Sequence, residues 1–334
     1  MLERLTNMPR KLKSALKSIR AALRSNKYHN KYRKIISSGC SLKDIEVLSI
    51  EFCSICNLKC RYCYLEEGQR PPFLDMNIYD KLLSEICKNE EYRIKIMEWP
   101  ISGCFFLHPK HGEIITMTGE YRKRFPHFRP WIILNDNMTM FGADRIDFVL
   151  KTNIINQIIC SIDGVDKETF EYMRPGADYG RVLENTASLL RITRQRNSSM
   201  VIQINNGRDE NCRGKKRDSR LRGIFEQANL VTEWEPVDWN ESFHRGNPCY
   251  KPYPSFCSFV FESVSLSTSG AIIKCCMDLK ESTAYGDFRE STLQDIWLSE
   301  KRREFLSAMR EGKRRLIPGC GTCSINYVRQ NKYP

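Results

Sequence analysis

Three thiols stand close together in Cys56-Asn57-Leu58-Lys59-Cys60-Arg61-Tyr62-Cys63, a C-x3-C-x2-C spacing. Three thiolates on one short loop suit a 4Fe-4S cluster, in which one iron is then left without a protein ligand and open to a small molecule. The competing chemistry is a structural zinc, which wants four tetrahedral donors in paired spacings. This spacing pairs poorly, with Cys53 as the available fourth donor. A second set lies far along the chain: Cys257, twelve residues, Gly270, four residues, Cys275, and 45 positions later Cys320-Gly321-Thr322-Cys323. A hairpin turning at Gly270 brings the first pair together and a tight loop supplies the second. Four donors close the set, which fits either an electron-transfer 4Fe-4S cluster or a structural zinc. Cys249 and Cys276 stand near this set without a ligand role, and a free cysteine ordinarily packs as a small hydrophobe.

The rest of the chain must position these thiols. From Glu46 short apolar runs alternate with helical stretches, the order of parallel strands joined by helical crossovers. Candidate strands span 46 to 52, 94 to 101, 131 to 135, 156 to 162, 200 to 204 and 230 to 237. Six such units predict an α/β fold, a partial (β/α)6 TIM-like barrel over 46–244. The C-x3-C-x2-C loop follows the first strand and so sits at the face where barrels carry their active sites. Residues 206 to 222 are rich in Arg, Lys, Asp and Asn and read as a long exposed loop, a candidate lid. A second, smaller domain is expected over 245–334, with a β-hairpin about Gly270 and a helix from Ser291 to Glu311.

Composition narrows the function. Fifteen cysteines in 334 residues, without a secretory signal, point to a reducing cytoplasmic setting and to metal or cluster ligation rather than disulfides. Cys40, Cys87, Cys160 and Cys212 read as structural. No run of 18 apolar residues is present to span a membrane. The net charge of +13 is concentrated: residues 1–34 hold 11 Lys and Arg against Glu3 alone. There Leu5, Met8, Leu12, Leu16, Ile19 and Leu23 recur every three or four positions, which predicts a basic amphipathic helix within an extension over 1–45. Such a helix packs on its own barrel or docks peripherally on an anionic membrane surface or an acidic partner. Nucleic acid is disfavoured, because the charge is confined and lacks interleaved stacking aromatics.

The first thiol motif, with aromatic Tyr62 before its third cysteine, resembles the radical SAM superfamily. The resemblance implies that the open iron chelates S-adenosylmethionine, and that one electron cleaves it to a 5′-deoxyadenosyl radical that abstracts hydrogen from a substrate C–H. It also implies a reducing donor such as flavodoxin or ferredoxin. Where the family usually has Gly-Gly-Glu-Pro after the second strand, this chain reads Ser102-Gly103-Cys104-Phe105, so Cys104 replaces the acid that holds the methionine amino group. Glu98 is a candidate replacement. Asn135 stands where relatives have Thr-Asn-Gly; Ser161-Ile162-Asp163-Gly164 matches Ser-x-Asp-Gly, implying that Ser161 and Asp163 approach the cofactor. Arg174, in Tyr172-Met173-Arg174-Pro175-Gly176, is implied to pair with the cofactor carboxylate. The second thiol set, Cys275-Cys276-Met277-Asp278, Tyr285-Gly286-Asp287-Phe288 and Leu293-Gln294-Asp295-Ile296-Trp297 resemble the SPASM domain in its shortened twitch form with one auxiliary 4Fe-4S cluster.

That resemblance covers about residues 46 to 325 and implies oxidation (dehydrogenation) or epimerisation of a sugar or cyclitol, with radical modification of a ribosomally made peptide as the alternative substrate class. Cys249 or Cys276 would return a hydrogen atom in an epimerase. Asp278 would take a proton during oxidation, or merely cap the hairpin. The rival from another class is a non-catalytic iron-sulfur adaptor whose S-adenosylmethionine site has degenerated at Cys104.

Overall fold

The computed structural model describes residues 41–234, 257, 259–321 and 323. The basic segment 1–34, Cys40 and Cys249 lie outside them. Six parallel strands, β1 (Val47–Ile50), β2 (Ile96–Trp99), β3 (Trp131–Asp136), β4 (Gln157–Ser161), β5 (Val201–Gly207) and β6 (Leu230–Trp234), lie in the spatial order 6-5-4-3-2-1. Between them run α1 (Met76–Lys88), α2 (His111–Arg124), α3 (Ala143–Thr152), α4 (Lys167–Met173) with α5 (Tyr179–Gln195), and α6 (Ser219–Gln227). Four of these helices start where an aspartate accepts an otherwise orphaned backbone N–H: Asp75, Asp166, Asp178 and Asp218. Asp166 and Thr169 complete a reciprocal capping box.

Register assigns the two faces of the sheet. Trp99 and Leu134 pair across β2 and β3, and Trp99 meets Tyr79 of α1, so this face is covered by helices. Leu48, Ile50, Met97, Ile132, Leu134, Ile158 and Ile204 on it are fully buried. The opposite face is apolar where the strands begin, with Val47, Ile96 and Ile133 clustered against Trp131 and Ile159. Toward the strand ends it turns polar: Ser49 pairs with Glu98 and Ser161 with Asn205, and Asn135 lies on the same face. An all-structural barrel interior would be filled with branched aliphatic side chains instead.

The hairpin domain is joined to this sheet. A helical turn α7 (Phe259–Glu262) leads into β7 (Ser263–Leu266), which pairs parallel to β1, and β8 (Ala271–Ile273) and β9 (Ala284–Asp287) follow antiparallel. The nine strands form one continuous sheet. Gly270 turns the hairpin at φ +89°, a conformation open to glycine at little cost. The helix expected from Ser291 to Glu311 divides into α8 (Leu293–Trp297) and α9 (Glu300–Arg310), because Ser299 caps a fresh N-terminus by accepting from the Arg302 N–H at 3.3 Å. Residues 206–222 do not form one exposed loop. They continue β5, turn once over Glu210–Cys212, and enter α6, and Cys212 is buried against Val165 and Met173 with Tyr62 packed beside them. Among the described residues no helix is long and apolar enough to cross a membrane.

Candidate functional site

Cys56, Cys60 and Cys63 lie on the loop that leaves β1, and that loop is fastened on every side. Beneath it Phe52, Trp99 and Phe105 pack at centroid separations of 5.3 to 5.9 Å, all fully buried. Burial of each such ring contributes roughly 1.5–3 kcal/mol. Gly103 sits at φ +66° directly against the loop, where an added Cβ would lie 2.7 Å from the Ile55 carbonyl and closer still to that of Cys53. The Cys104 N–H donates to the Ile55 carbonyl at 3.0 Å. On the far side the Lys59 and Arg61 N–H groups donate to the Pro175 and Met173 carbonyls. Cys53 is not a donor to the site. Its thiol is fully buried, donates to the Ile55 carbonyl at 3.3 Å, and is pushed up to about 11 by burial.

Cys63 raises the pKa of Cys56, and Cys63 and Cys56 both raise that of Cys60, so the three loop thiols lie near one another. Polar side chains meet them there: Arg174 Nη1 lies 3.9 Å from Cys60 Sγ, and Asn137 Nδ2 lies 3.8 Å from Cys56 Sγ. Burial pushes the Cys60 thiol up to about 11, and the Arg174 charge opposes that shift. Hydrogen bonds and positive charge at the sulfurs favour the ligating thiolate form. Among the described residues no three His, Cys, Asp or Glu side chains close on the point a single metal ion would occupy. The donor set offered here is three thiols with Arg174 and Asn137 at two of the sulfurs.

The residues implied to bind a cofactor separate into two groups. Tyr62, Asp163 and Arg174 form a buried knot: Arg174 Nε donates to Asp163 Oδ2 at 2.6 Å, Tyr62 OH donates to the same oxygen, and the Gly207 N–H donates to Oδ1 at 2.7 Å. Asp163 is 0% exposed and Arg174 6%. Their ion pair thus braces the cluster loop, and Arg174 is committed to Asp163 where the resemblance implied a cofactor carboxylate. Asn135 and Ser161, by contrast, stand half-buried at the strand ends on the polar face. Cys104 is buried, and desolvation with the nearby Asp136 pushes its pKa far up, so it stays a neutral thiol. It offers no charge to an ammonium group. Gly103 serves the loop contact described above.

Cys257, Cys275, Cys320 and Cys323 converge at the end of the hairpin: Cys275 lies in the fields of Cys320 and Cys257, and Cys320 in those of Cys257 and Cys323. Burial, with Cys275 and Glu98 nearby, pushes the Cys276 thiol well up. Tyr64, one residue beyond the first thiol set, lies in the fields of both Cys275 and Cys276. Tyr64 thus senses thiols of both sets. Asp278 is not placed to act as a base. It is 1% exposed, pairs with Lys274 at 3.2 Å, and accepts from Ser282 Oγ and from the Ser282 and Thr283 N–H groups. It caps the turn between β8 and β9. Cys87, Cys160 and Cys212 are buried, as structural thiols should be.

Sequence reasoning missed the hub at Glu51. Its carboxylate, 0% exposed, accepts a fork from Arg70 at 2.7 and 3.1 Å, accepts from Ser102 Oγ, and accepts the Thr268 N–H of the hairpin at 3.0 Å. One side chain thus ties β1, the return of the cluster loop, the turn after β2 and the β7–β8 hairpin. The signal was an acid ending an otherwise apolar strand run. Also missed was a ladder across the polar face: Trp131 Nε1 to Gln157 at 3.0 Å, Gln157 to Gln203 at 2.6 Å, and Gln203 to Thr232 at 3.0 Å. Glu98 accepts from Ser49 at 2.8 Å on the same face.

Residues 257–324, the segment that carries the second thiol set, match the SPASM family model, an iron-sulfur cluster-binding domain. That segment is similar to a SPASM domain, and the fold is similar to that of several solved structures. Among solved structures, BtrN in complex with AdoMet and 2-DOIA aligns at a TM-score of 0.53 with 16% identity, over 86% of this chain and 95% of that one. His-tagged anSMEcpe with bound AdoMet aligns at 0.59 with 15% identity, over 84% and 86%. SuiB of Streptococcus suis bound to the precursor peptide SuiA aligns at 0.55 with 13% identity, over 93% and 75%. No curated protein matches the sequence. The SPASM match falls on Cys257, Cys275, Cys320 and Cys323 together, and favours iron-sulfur over zinc there.

Proposed function

We propose that this chain is a radical S-adenosylmethionine enzyme that oxidises an alcohol carbon of a sugar or cyclitol to a ketone. The observation that carries the proposal is the first thiol set on the loop leaving β1, with Tyr64 beyond it in the fields of Cys275 and Cys276, beside a sheet face that carries Ser49, Glu98, Ser161 and Asn205. Cys56, Cys60 and Cys63 would hold the first cluster and Cys257, Cys275, Cys320 and Cys323 the second. When loaded, the first centre with S-adenosylmethionine supplies the hydrogen-abstracting 5′-deoxyadenosyl radical, and the second accepts the electron left on the substrate.

The chain's own residues do the rest. Arg174 and Asn137 stabilise the ligating sulfurs, and the Asp163–Arg174 pair fixes the loop that carries them. The amides and hydroxyls of Asn135, Ser161 and Asn205 suit the hydroxyls of a small polar substrate, since each offers a donor or an acceptor. Glu98, on the polar face and hydrogen-bonded by Ser49, is the carboxylate assigned to take the hydroxyl proton. The likeness to BtrN, held with 2-DOIA and aligned over nearly its whole length, supports a small-molecule substrate. The likeness to SuiB with its precursor peptide supports the peptide alternative.

The test is anaerobic reconstitution followed by iron analysis, then addition of reductant and S-adenosylmethionine. About eight irons and formation of 5′-deoxyadenosine, lost in a Cys56/Cys60/Cys63→Ala variant, are expected. Turnover of a sugar and cyclitol panel, set against peptides, then decides the substrate. About four irons and no cleavage would put the adaptor reading first. Deleting residues 1–34 tests whether the basic extension recruits a membrane surface or an acidic partner, with unchanged localisation removing that role.

A further inference from the structure

We infer that Arg70 is a positioning residue shared by the two thiol sets, so that a cluster held by the first set protects the hairpin that carries the second. This rests on the reading of both thiol sets as cluster ligands. Arg70 stands seven positions beyond Cys63, on the segment that returns from the first thiol loop. That segment is bound back to the loop: Glu67 accepts the Cys56 N–H at 3.2 Å, and the Ser54 N–H donates to the Pro72 carbonyl at 3.0 Å. The Arg70 side chain is 4% exposed and forks onto Glu51 at 2.7 and 3.1 Å. The same carboxylate accepts the Thr268 N–H at 3.0 Å, and Arg70 Nε also reaches Glu281 at 4.0 Å. Thr268 precedes Cys275 by seven positions and Glu281 follows it by six, so these contacts straddle a ligand of the second set. Beyond Glu281 the ties continue. Ser282 donates to Asp278 at 2.6 Å, Asp278 pairs with Lys274 at 3.2 Å, and Lys274 donates at 2.8 Å to the Pro318 carbonyl, two positions before Cys320.

The physical consequence follows from burial and geometry. A bidentate guanidinium–carboxylate fork fixes the relative placement of its partners, and pulling one partner away strands a buried charge. The two thiol-bearing segments are therefore constrained to move together. A second tie between them, Lys280 to Glu66 at 3.0 Å, is half exposed and contributes little by comparison. Glu281 holds a left-handed φ of +52°, a backbone state that a residue with a Cβ keeps only where contacts impose it, and Arg70 and Ser269 Oγ, at 2.8 Å, supply them. Metal binding is coupled to the ordering of the loops that carry its ligands. Ordering of the first loop against Arg70 leaves less disorder to remove in the hairpin, and coupling of this kind is mutual.

The experiment is anaerobic hydrogen–deuterium exchange of the reconstituted full chain, read by mass spectrometry. It compares the unaltered protein with Cys56/Cys60/Cys63→Ala, each with and without Arg70→Gln. A peptide covering 268–283 should exchange about fivefold faster or more once the first thiols are removed, while α3 (Ala143–Thr152) is unchanged. In the Arg70→Gln background that dependence on the first thiols should vanish, and Arg70→Lys should restore part of it. A merely structural Arg70 would speed exchange in the hairpin and leave its dependence on the first thiols in place, which overturns the inference. Equal exchange with and without the first thiols overturns it too, and so does faster exchange that includes α3. If Arg70→Gln does not fold, Glu281→Gln decides: a smaller dependence supports the inference and an undiminished one overturns it. An iron count of about four in the unaltered protein would instead overturn the cluster reading on which the inference stands.

Discussion

Replacing Asp163 by Asn tests whether the cluster loop is braced by a buried ion pair. Asp163 accepts three hydrogen bonds, from Arg174 Nε at 2.6 Å, from the Gly207 N–H at 2.7 Å and from Tyr62 OH. Asn keeps an acceptor for Gly207, but its amide nitrogen then meets the donors of Arg174 and Tyr62. The guanidinium, 6% exposed, is left as an uncompensated buried charge. Breaking such a pair costs about 3–5 kcal/mol, a large share of a total stability of about 5–15 kcal/mol. At about 2 °C per kcal/mol for a chain of this size, the thermal midpoint should fall by about 6–10 °C. Because Arg174 Nη1 also faces Cys60 Sγ at 3.9 Å, iron bound by the first thiol set should fall as well. The assay is urea unfolding of the anaerobically reconstituted protein, run as a double-mutant cycle with Arg174→Gln. The double variant should recover about 1–3 kcal/mol of the summed losses. A loss below about 1 kcal/mol in Asp163→Asn, or strictly additive single and double variants, would refute the brace.

Gly103→Ala would place a methyl against the Cys53 and Ile55 carbonyls at a left-handed φ that alone costs about 1–2 kcal/mol, so it should empty the first cluster while sparing the auxiliary one; full iron content would count against the loop contact. Asp136 is buried with its pKa pushed up to about 7 by desolvation, although the Met138 N–H, Arg145 and Arg174 work against that shift. Its folded pKa lies above its unfolded one, so between about pH 4 and pH 7 the native state holds a proton that the unfolded chain has released, and stability falls as pH rises through that window. Asp136→Asn keeps an acceptor for the Met138 N–H and should gain up to about 4 kcal/mol over the unaltered protein at pH 8 but little at pH 4; a gap that does not change with pH in chemical denaturation would contradict this. Cys276→Ala should leave net oxidation intact and abolish any epimerisation, read by chiral product analysis in deuterated water. Glu98→Gln should lower turnover at least about tenfold while 5′-deoxyadenosine formation without substrate is retained, and undiminished turnover would remove Glu98 as the proton acceptor.

Much of this molecule was legible in its residues. Thiol spacing alone pointed to an open three-ligand centre and a closed four-ligand one, because ligand number is a local property of a loop or a hairpin. The six strands were readable because each is a short run between helical stretches, four of whose helices open on Asp caps. What register and packing decided is what the side chains do. Arg174 and Asp163 carry the residue types expected of cofactor contacts, yet chain folding turns them toward each other beside Cys60. Asp278 has the type of a base, yet Lys274, Ser282 and Thr283 consume its oxygens. No local pattern reports that β7 pairs with β1, since a strand's neighbour is chosen by contacts more than 200 residues apart in sequence, Val47 with Ser263 among them. That pairing alone lets Glu51 reach Thr268 and sets Cys276 in the field of Glu98. Residue type and spacing mark which thiols could ligate a cluster; folding fixes where they stand, because burial and long-range pairing settle which polar atoms are already engaged.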